Sequence, residues 1–374
     1  MQVNLKQPVL PQHANMELLQ LVDWIGENET LAIGGLLVGM IFGIAAQQSQ
    51  FCLRAAAVEF ARGSIGNRLA VWLVVFTVAV FGTQLADLAG AVPAAESRQI
   101  ASPQSISGAL IGGLLFGTGM VLARGCASRL LVLSATGNLR ALLSGLVFAV
   151  VAQASLRGFL SPAREAVAGL ATTQTIGGNS LLEALGMSSQ MALLASVFAF
   201  MLAILFSFFR NNGFKVTFFA MLAGLAIPAA WLFTAEMSRI AFEPVQLEGV
   251  TFTGPSADTL MMFLSPPGNA IEFDIGLVPG VFLGSFLAAA LTGQLALQGF
   301  EGGPAMRRYL FGAALMGFGG MLAGGCAVGA GVTGASVFAI TAWVTLFAIW
   351  ASAMATDWLV DRRGAATAST GQTA

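Results

Sequence analysis

Histidine, cysteine and nucleotide-binding motifs are scarce or missing in this sequence, and each scarcity excludes a kind of site. One His and three Cys, with no Cys-x-x-Cys or His-Glu-x-x-His spacing, argue against a zinc site or an attached haem. No phosphate-binding loop of the GxxxxGK[ST] type occurs, so nucleotide hydrolysis by that motif is excluded. We therefore expect no metal, no cofactor and no enzyme of these kinds.

Charged residues are also few, and this scarcity excludes an ordinary soluble protein. They make up 9% of the 374 residues, whereas a soluble domain has about a quarter. Hydrophobic residues make up 56%, and the mean hydropathy is +0.81. The net charge of −1 gives no reason to expect a nucleic-acid partner. The 45 glycines suit closely packed membrane helices, so the composition predicts an integral membrane protein in a lipid bilayer.

Long apolar runs are the main feature that is present. Each run has about 18 or more residues, enough to cross roughly 30 Å of hydrocarbon as a helix. Continuous apolar runs disfavour a membrane β-barrel, whose strands alternate. The predicted fold is therefore an all-α integral membrane protein with about nine transmembrane helices. The runs lie near 31–50, 68–91, 106–123, 139–159, 188–209, 215–235, 275–298, 309–323 and 335–356.

Basic residues are unevenly divided between the two sets of loops, which predicts an orientation. If the N-terminus is outside, five of the 17 Lys and Arg lie outside and the other 12 lie inside. Inner loops of membrane proteins carry the excess of Lys and Arg. We therefore expect the N-terminus outside and the C-terminus inside. The five outer residues are Lys6, Arg98, Arg157, Arg164 and Arg239.

Two segments of the chain, 112–127 and 312–327, are similar to each other. They share nine identities in sixteen positions, and both close on Gly-Cys-Ala. Their spans run in opposite directions, so a duplication would give two inverted, pseudo-symmetric halves. Each Gly-Cys element is either a broken span or a re-entrant element near the midplane. The predicted organisation is an outer tail 1–30, a first membrane repeat 31–160, a connecting span 188–210, a second repeat 211–358 and a cytoplasmic tail 359–374.

An acidic segment, 236–274, lies within the second repeat and shows no clear helix pattern. A long outer loop of this kind is often functional. It would either cap the mouth of a pathway or simply connect two spans. Its carboxyl residues are Glu236, Glu243, Glu248, Asp258, Glu272 and Asp274.

Gly125 and Gly325 each precede a cysteine, in a setting suited to binding. Glycine permits a sharp turn and a broken helix, whose exposed N–H groups at a half-helix N-terminus bind anions. The thiols of Cys126 and Cys326 would be soft, weak hydrogen-bond donors, suited to contact a sulfur-containing solute. Cys52 ends the segment Gln47-Gln48-Ser49-Gln50-Phe51-Cys52 and has a weaker claim. For all three, the alternative is ordinary packing in the core.

Two further features each have two interpretations. Arg124 lies beside the Gly-Cys turn and would either attract an anion or serve only as an inner topology determinant. The spacing Gly35-x-x-x-Gly39-x-x-x-Gly43 most often indicates close helix packing, and otherwise a pathway wall.

At these positions the chain resembles the YeeE/YedE family, bacterial membrane proteins of sulfur transport whose characterised members take up thiosulfate. The resemblance spans about residues 31–350, and the three cysteine settings together make it specific. The matching pieces are Gly39-Met-Ile-Phe-Gly43 leading to Phe51-Cys52, Ala123-Arg124-Gly125-Cys126-Ala127-Ser128, Ala323-Gly324-Gly325-Cys326, Leu247-Glu248-Gly249-Val250-Thr251-Phe252 and Gly280-Val281-Phe282-Leu283-Gly284-Ser285.

The resemblance implies a nine-span bundle of the bacterial cytoplasmic membrane, narrowed at its centre by three cysteines. Thiosulfate or a related sulfur anion would pass inward along these thiols, and a small cytoplasmic sulfur-carrier protein is the implied partner. We expect Cys126 and Cys326 to form the central contact and Cys52 a flanking one. Members commonly carry Gly where this chain has Arg129, and an added cation would alter anion preference. The predicted path residues are Cys52, Cys126, Cys326, Arg124, Gly125 and Gly325.

Other functions stay open at this point. A membrane-embedded thiol enzyme would pass sulfane sulfur through a persulfide on one cysteine, which requires an activated thiol and a nearby base or cation. Arg124 and Arg129 would supply the cation near Cys126, but the sequence shows no base. A non-transporting subunit that anchors partners is a third interpretation, and sulfite, sulfide or selenium analogues are alternative solutes.

Overall fold

The computed structural model describes residues 12–266, 271–300 and 302–362, so the predicted tails 1–30 and 359–374 lie partly outside the described residues. Within these ranges the chain is helical and forms no β-strand. Two 3-10 turns, Ala94–Glu96 and Thr173–Ile176, and two π-helices, Ala327–Thr333 and Asp357–Arg362, accompany the α-helices. In chain order the α-helices are α1 (Gln12–Ile25), α2 (Glu27–Ser49), α3 (Leu53–Ala61), α4 (Asn67–Leu88), α5 (Arg98–Ala101), α6 (Ile106–Leu122), α7 (Ala127–Ala135), α8 (Leu139–Leu156), α9 (Ser161–Ala168), α10 (Leu181–Leu185), α11 (Ser189–Phe209), α12 (Phe214–Ile240), α13 (Thr253–Leu264), α14 (Phe273–Leu291), α15 (Gly303–Leu322), α16 (Gly334–Ser336) and α17 (Ile340–Thr356).

In the part of the chain that the structure describes, nine helical segments are long and apolar enough to cross a membrane. This confirms the predicted all-α membrane class and the number of spans. Three of the nine are interrupted: α2 continues into α3, α6 into α7, and α15 into the π-helix Ala327–Thr333 and α16. Each interruption lies at a cysteine, which marks these three spans as a separate group within the bundle.

Helices α2 and α14 pack backbone to backbone along glycines. A Cβ atom added to Gly39 would overlap the carbonyl oxygen of Leu277 and lie 3.0 Å from the amide nitrogen of Val281. From the other side, a Cβ atom added to Gly280 would overlap the backbone of Leu36. Small residues allow this approach, which the bilayer itself does not drive. The packing interpretation of the regular glycine spacing in α2 is therefore correct.

Helices α6 and α15, which carry the similar segments 112–127 and 312–327, cross each other antiparallel. A Cβ atom added to Gly112 would lie 2.5 Å from the carbonyl oxygen of Gly319. A Cβ atom added to Gly312 would lie 2.7 Å from the carbonyl oxygen of Gly119. Equivalent positions thus contact each other reciprocally, as two inverted copies would do. The origin of the two halves as an inverted repeat remains a prediction.

The acidic segment 236–274 contains more helix than the sequence predicted. Helix α12 continues to Ile240, α13 occupies Thr253–Leu264, and α14 begins at Phe273. The expectation of a segment without helix was therefore wrong. The twelve residues of α13 are too few to show a span-like apolar run, and Gly254 and Pro255 in its first turn resemble a loop signal. Packing of α13 against α8 and α14 compensates for this weak local signal.

The last helical turns, Asp357–Arg362, are held against α3 by buried charge. Asp357 is fully buried and accepts from Arg62, with the Arg62 Nη2 and Asp357 Oδ1 atoms 2.7 Å apart. Arg362 Nε lies 3.3 Å from Asp357 Oδ2. A buried carboxylate needs such paired partners, because an unpaired charge inside a protein is costly. The position of α3 is therefore coupled to the end of α17.

Candidate functional site

All three cysteines occupy the same structural position, the N-cap of a half-helix. Cys52 precedes α3, Cys126 precedes α7, and Cys326 precedes the π-helix Ala327–Thr333. At Cys326 the backbone N–H of Gly329 donates to the sulfur, with an N···S distance of 3.4 Å. Three thiols therefore lie at positive helix ends inside the bundle.

Left-handed backbone makes the turns before Cys126 and Cys326. Gly324 and Gly325 have φ angles of +79° and +156°. At the first turn the residue with positive φ is Arg124, at +55°, and not Gly125. A side chain in this conformation is strained by roughly 1 kcal/mol relative to glycine. From the sequence we expected the glycine before each cysteine to make the turn, and only the second turn follows that expectation.

The thiols of Cys52 and Cys126 contact each other. Both are free, Cys126 is buried, and Cys52 is half-buried. The Oγ of Ser128 lies 3.4 Å from the Cys126 sulfur and completes a small polar group. From the sequence we expected Cys326 at the central contact with Cys126. The structure places Cys52 there, because the break after α2 meets the break after α6.

Two arginines that were not among the predicted path residues lie within electrostatic range of this thiol pair. Arg54 is two residues after Cys52, and Arg129 is three residues after Cys126. Residues two and three positions beyond an N-cap belong to the first helical turn, so their positions follow once the cysteines are known to be caps. Arg54 Nη2 lies 3.9 Å from Asp361 Oδ2. Arg54 and Arg129 were not predicted as path residues because the sequence did not show that the cysteines before them are N-caps.

Arg124, a predicted path residue, is exposed beside α15. Its guanidinium carbon lies 5.8 Å from the ring centroid of Tyr309. Arg140 approaches the same ring at 4.9 Å and donates to the carbonyl oxygen of Ala123 at 3.0 Å. A cation at the C-terminal end of α6 offsets the partial negative charge there. Contact of Arg124 with a solute stays a prediction.

A cavity of about 890 Å³ opens on the face of the bundle that carries the start of α2 and the end of α8. Its lining reaches Gly324, Gly325 and Gly329, so its floor lies at the turn that precedes Cys326. Cys326 itself is 1% exposed. The cavity therefore leads from the surface to one of the three thiols.

Six carboxyl and three guanidinium groups line this cavity. Such a surface repels an anion unless some carboxyl groups are neutral. Burial raises the pKa of Glu248, and the nearby Glu272 raises it further while Arg98 opposes the shift. Burial also raises the pKa of Asp258, against the effect of Arg157. The lining groups are Glu27, Glu243, Glu248, Asp258, Glu272 and Asp274, with Arg98, Arg157 and Arg164.

Buried aromatic rings connect Cys326 with the thiol pair. The backbone of Phe252 contacts the Cys326 sulfur. The ring centroids of Phe252 and Phe42 are 5.3 Å apart, and those of Phe42 and Phe51 are 6.3 Å apart. Phe51 directly precedes Cys52. These rings are at most 2% exposed, so the connection is apolar and closely packed.

Interrupted helices that direct their N-termini at buried groups inside a bundle are typical of membrane transporters. The family model described as sulphur transport matches residues 48–355, and the chain belongs to this family. The resemblance seen in the sequence is thereby confirmed.

Two curated relatives cover almost the whole chain. The thiosulfate transporter TsuA of Escherichia coli (strain K12) is 24% identical over 359 residues, which are 88% of this chain and 95% of the relative. The thiosulfate transporter TsuA of Spirochaeta thermophila is 26% identical over 349 residues, which are 88% of this chain and 99% of the relative. Both names support a sulfur-transporting membrane protein.

Proposed function

We propose that this protein carries thiosulfate, or a closely related sulfur anion, across the bacterial cytoplasmic membrane into the cell. The observation that carries the proposal is the common N-cap position of Cys52, Cys126 and Cys326 at three interrupted spans. The names of the two relatives support the solute. Chance placement of three core cysteines would not put all of them at helix ends.

The route begins in the cavity of about 890 Å³, which we assign to the outer side because the basic residues favour an outer N-terminus. The anion meets the Gly325 turn and Cys326 at the floor, passes the ring row of Phe252, Phe42 and Phe51, and reaches the thiols of Cys126 and Cys52. The C-terminal end of the chain then lies on the cytoplasmic side. Membrane repeats 31–160 and 211–358 are the two inverted halves around this route, and 188–210 connects them.

At each stage the anion is held by N–H groups of a half-helix and by a thiol. Helix N-termini bind anions without a full positive charge. The S–H group is a weak donor and its sulfur is polarizable, so contact with a sulfur anion is favourable without being tight. Binding at several weak sites permits release at the far end. This route requires no covalent step.

Inward passage of a dianion is opposed by the membrane potential. Moving one charge costs about 2.3 kcal/mol per 100 mV, so a dianion costs roughly twice that. Uptake therefore needs a source of free energy that exceeds the cost imposed by the membrane potential. A cytoplasmic sulfur-carrier protein that consumes the arriving anion is the partner we propose, because removal of the product holds its inner concentration low.

Persulfide chemistry is the alternative favoured by one observation, the contact between the Cys52 and Cys126 thiols. In that function one thiolate would attack the outer sulfur of thiosulfate, forming a persulfide and releasing sulfite, and the other thiolate would then take over that sulfur and release the first. The cysteine variants described in the Discussion separate the two functions.

Growth on thiosulfate tests the proposed function directly. A bacterium that lacks its other sulfate and thiosulfate importers should grow on thiosulfate as sole sulfur source when it produces this protein. Liposomes that contain the purified protein should accumulate radiolabelled thiosulfate, whereas liposomes without it should not. Absence of both growth and accumulation, with the protein present in the membrane, would exclude thiosulfate as the solute.

Uptake should increase as the outer pH falls. Because the pKa of Glu248 is raised by burial, this carboxyl takes up a proton at a higher pH than usual, and the cavity becomes less repulsive to an anion. Thiosulfate itself remains a dianion over this range. Between about pH 7.5 and about pH 5.5 we expect initial uptake to rise roughly two- to tenfold in the wild type.

The variant Glu248→Gln should resemble the protonated form and respond less to pH. Glu183→Gln, at an exposed carboxyl of α10 that does not line the cavity, is the matched control and should keep the wild-type profile. Initial rates of labelled thiosulfate uptake, measured in liposomes at each pH, provide the comparison. An unchanged pH profile in Glu248→Gln would remove Glu248 from the entrance.

A further inference from the structure

Arg129 is a half-buried arginine whose guanidinium forms no ion pair with any described residue. Its Nη1 atom is buried and makes no hydrogen bond to any described residue. Arginine remains charged in proteins, and burial of such a charge is costly unless it is paired. A core arginine that only packs would be expected to bind a carboxylate or carbonyl group. The Nη1 donor of Arg129 is therefore available to a group that the described residues do not supply.

The thiol pair is the feature that Arg129 faces. The guanidinium lies within electrostatic range of Cys52 and Cys126, and Arg129 belongs to the first turn of α7, which Cys126 precedes. The other cation within electrostatic range of Arg129 is Arg68, at the exposed start of α4. Arg54 and Arg129 are thus both near the thiol pair, and Arg54 is partly neutralised by Asp361.

Neighbouring arginines on the same side of the bundle already have partners. Arg308 Nη2 lies 2.7 Å from Asp361 Oδ1, and Arg54 lies 3.9 Å from the same carboxylate. Arg62 binds Asp357. These pairs show how this bundle satisfies arginines that have a structural role. Arg54 and Arg308 also have a buried Nε without a hydrogen bond, but each has a carboxylate within 4.0 Å, whereas no carboxylate of a described residue lies that close to Arg129.

We propose that Arg129 binds the oxyanion end of the transported anion while the Cys52 and Cys126 thiols contact its terminal sulfur, and that this arginine selects dianions over monoanions. The inference rests on the proposed transport function and specifies the contact made at the thiol pair. A planar guanidinium presents two parallel N–H donors that match two oxygens of a sulfonate-like group. Thiosulfate has such a group at one end and a soft sulfur at the other, so it fits both halves of the site.

Removal of the Arg129 charge should weaken transport while the protein still folds and reaches the membrane. In Arg129→Gln the apparent KM for thiosulfate should rise roughly 10- to 100-fold, the range expected for loss of a charge-assisted hydrogen bond. Arg129→Lys should recover part of the loss, because it restores charge without the two parallel donors. Arg68→Gln removes a nearby exposed charge and should leave the KM within about twofold of wild type.

Charge selectivity separates binding of the anion from a structural effect. Unlabelled thiosulfate, a dianion, and thiocyanate, a sulfur-containing monoanion, are compared as competitors of labelled thiosulfate uptake in liposomes. The preference for thiosulfate should shrink in Arg129→Gln and persist in Arg68→Gln. Membrane abundance and melting temperature are measured alongside. If Arg129→Gln kept the wild-type KM and the wild-type preference for thiosulfate over thiocyanate, the inference about Arg129 would be wrong. The transport function would be unaffected by that result.

Binding can be measured without transport, which keeps the two proposals apart. Thiosulfate should slow alkylation of the half-buried Cys52 by a maleimide in the purified wild-type protein, followed by mass spectrometry, and should not slow it in Arg129→Gln. Thiosulfate could protect the thiol in the wild type and not in Arg129→Gln while the wild type transports no thiosulfate. That result would reject the transport function and retain the contact between Arg129 and the anion. Equal protection, or none, in both proteins would overturn the contact.

Discussion

Replacing Cys126 with alanine should lower the initial rate of thiosulfate uptake by roughly tenfold or more. The change removes the buried donor that contacts Cys52 and lies 3.4 Å from Ser128, so the anion loses both a hydrogen bond and a polarizable contact. Loss of one buried sulfur atom leaves a small cavity and costs about 1 kcal/mol in the free energy of unfolding. The variant should therefore reach the membrane folded. Uptake of labelled thiosulfate in liposomes, normalised to the amount of folded protein, measures the effect.

Ser144→Ala is the matched control for this experiment. It also removes one heavy atom from a small, fully buried side chain, but in α8 and from a hydroxyl without a hydrogen-bond partner. Uptake by this variant should remain close to wild type. If Cys126→Ala transported as fast as Ser144→Ala, Cys126 would be an ordinary packing residue and the proposed route would be wrong at its centre.

Cys126→Ser separates a hydrogen-bonding route from persulfide chemistry. Serine keeps a donor at the same position but cannot carry a sulfane sulfur. A route of weak donors should retain measurable uptake in this variant. A persulfide step on Cys126 would instead make serine and alanine equally inactive, and a trapped persulfide on the wild-type thiol would favour the enzyme.

Replacing Gly39 with alanine should remove most of the folded protein. The added methyl group would overlap the carbonyl oxygen of Leu277 and lie 3.1 Å from the Cα atom of Gly280, so it meets backbone and not a movable side chain. Helix α14 would have to separate from α2, along the closest helix contact in the bundle. We expect a loss of roughly 3 kcal/mol or more in the free energy of unfolding. Gel filtration and the melting temperature of the purified protein provide the measurement.

Gly145→Ala shows what the same substitution does where there is room. No atom lies within 4 Å of the Cβ position of Gly145 in α8. Alanine has the better helix propensity, so this variant should melt at or above the wild-type temperature, with a gain of up to about 1 kcal/mol. Equal melting temperatures for the two variants would show that α2 and α14 can separate without cost, contrary to the packing described here.

Features that depend on neighbouring residues in the chain could be predicted. The nine spans follow from apolar runs, because the bilayer requires each crossing to be long, apolar and internally hydrogen-bonded. The packing role of the glycines around Gly39 follows from their regular spacing. The family followed from the settings of Cys52, Cys126 and Cys326. Segment 253–264 was missed, because a short helix that depends on packing against α8 and α14 has little local signal.

Features that depend on residues far apart in the chain could not be predicted. The partner of Cys126 is Cys52 because two interrupted spans meet, and no local pattern specifies which ends come together. Arg124 adopts the left-handed conformation that Gly324 has in the similar segment. This conformation is uncommon for a residue other than glycine, so residue type alone would have argued against it at Arg124. Glu248 and Asp258 join one cavity from separate elements.

By itself, the sequence determined that this protein is a membrane bundle, where its spans lie and that three cysteines have special settings. The reason is that hydrophobic length and glycine spacing act within single helices. The tertiary structure alone decided that all three cysteines cap half-helices, that two thiols touch beside the unpaired Nη1 of Arg129, and that an acidic cavity ends at the third. Those features arise from contacts between spans, whose mutual approach depends on the packing of the whole bundle.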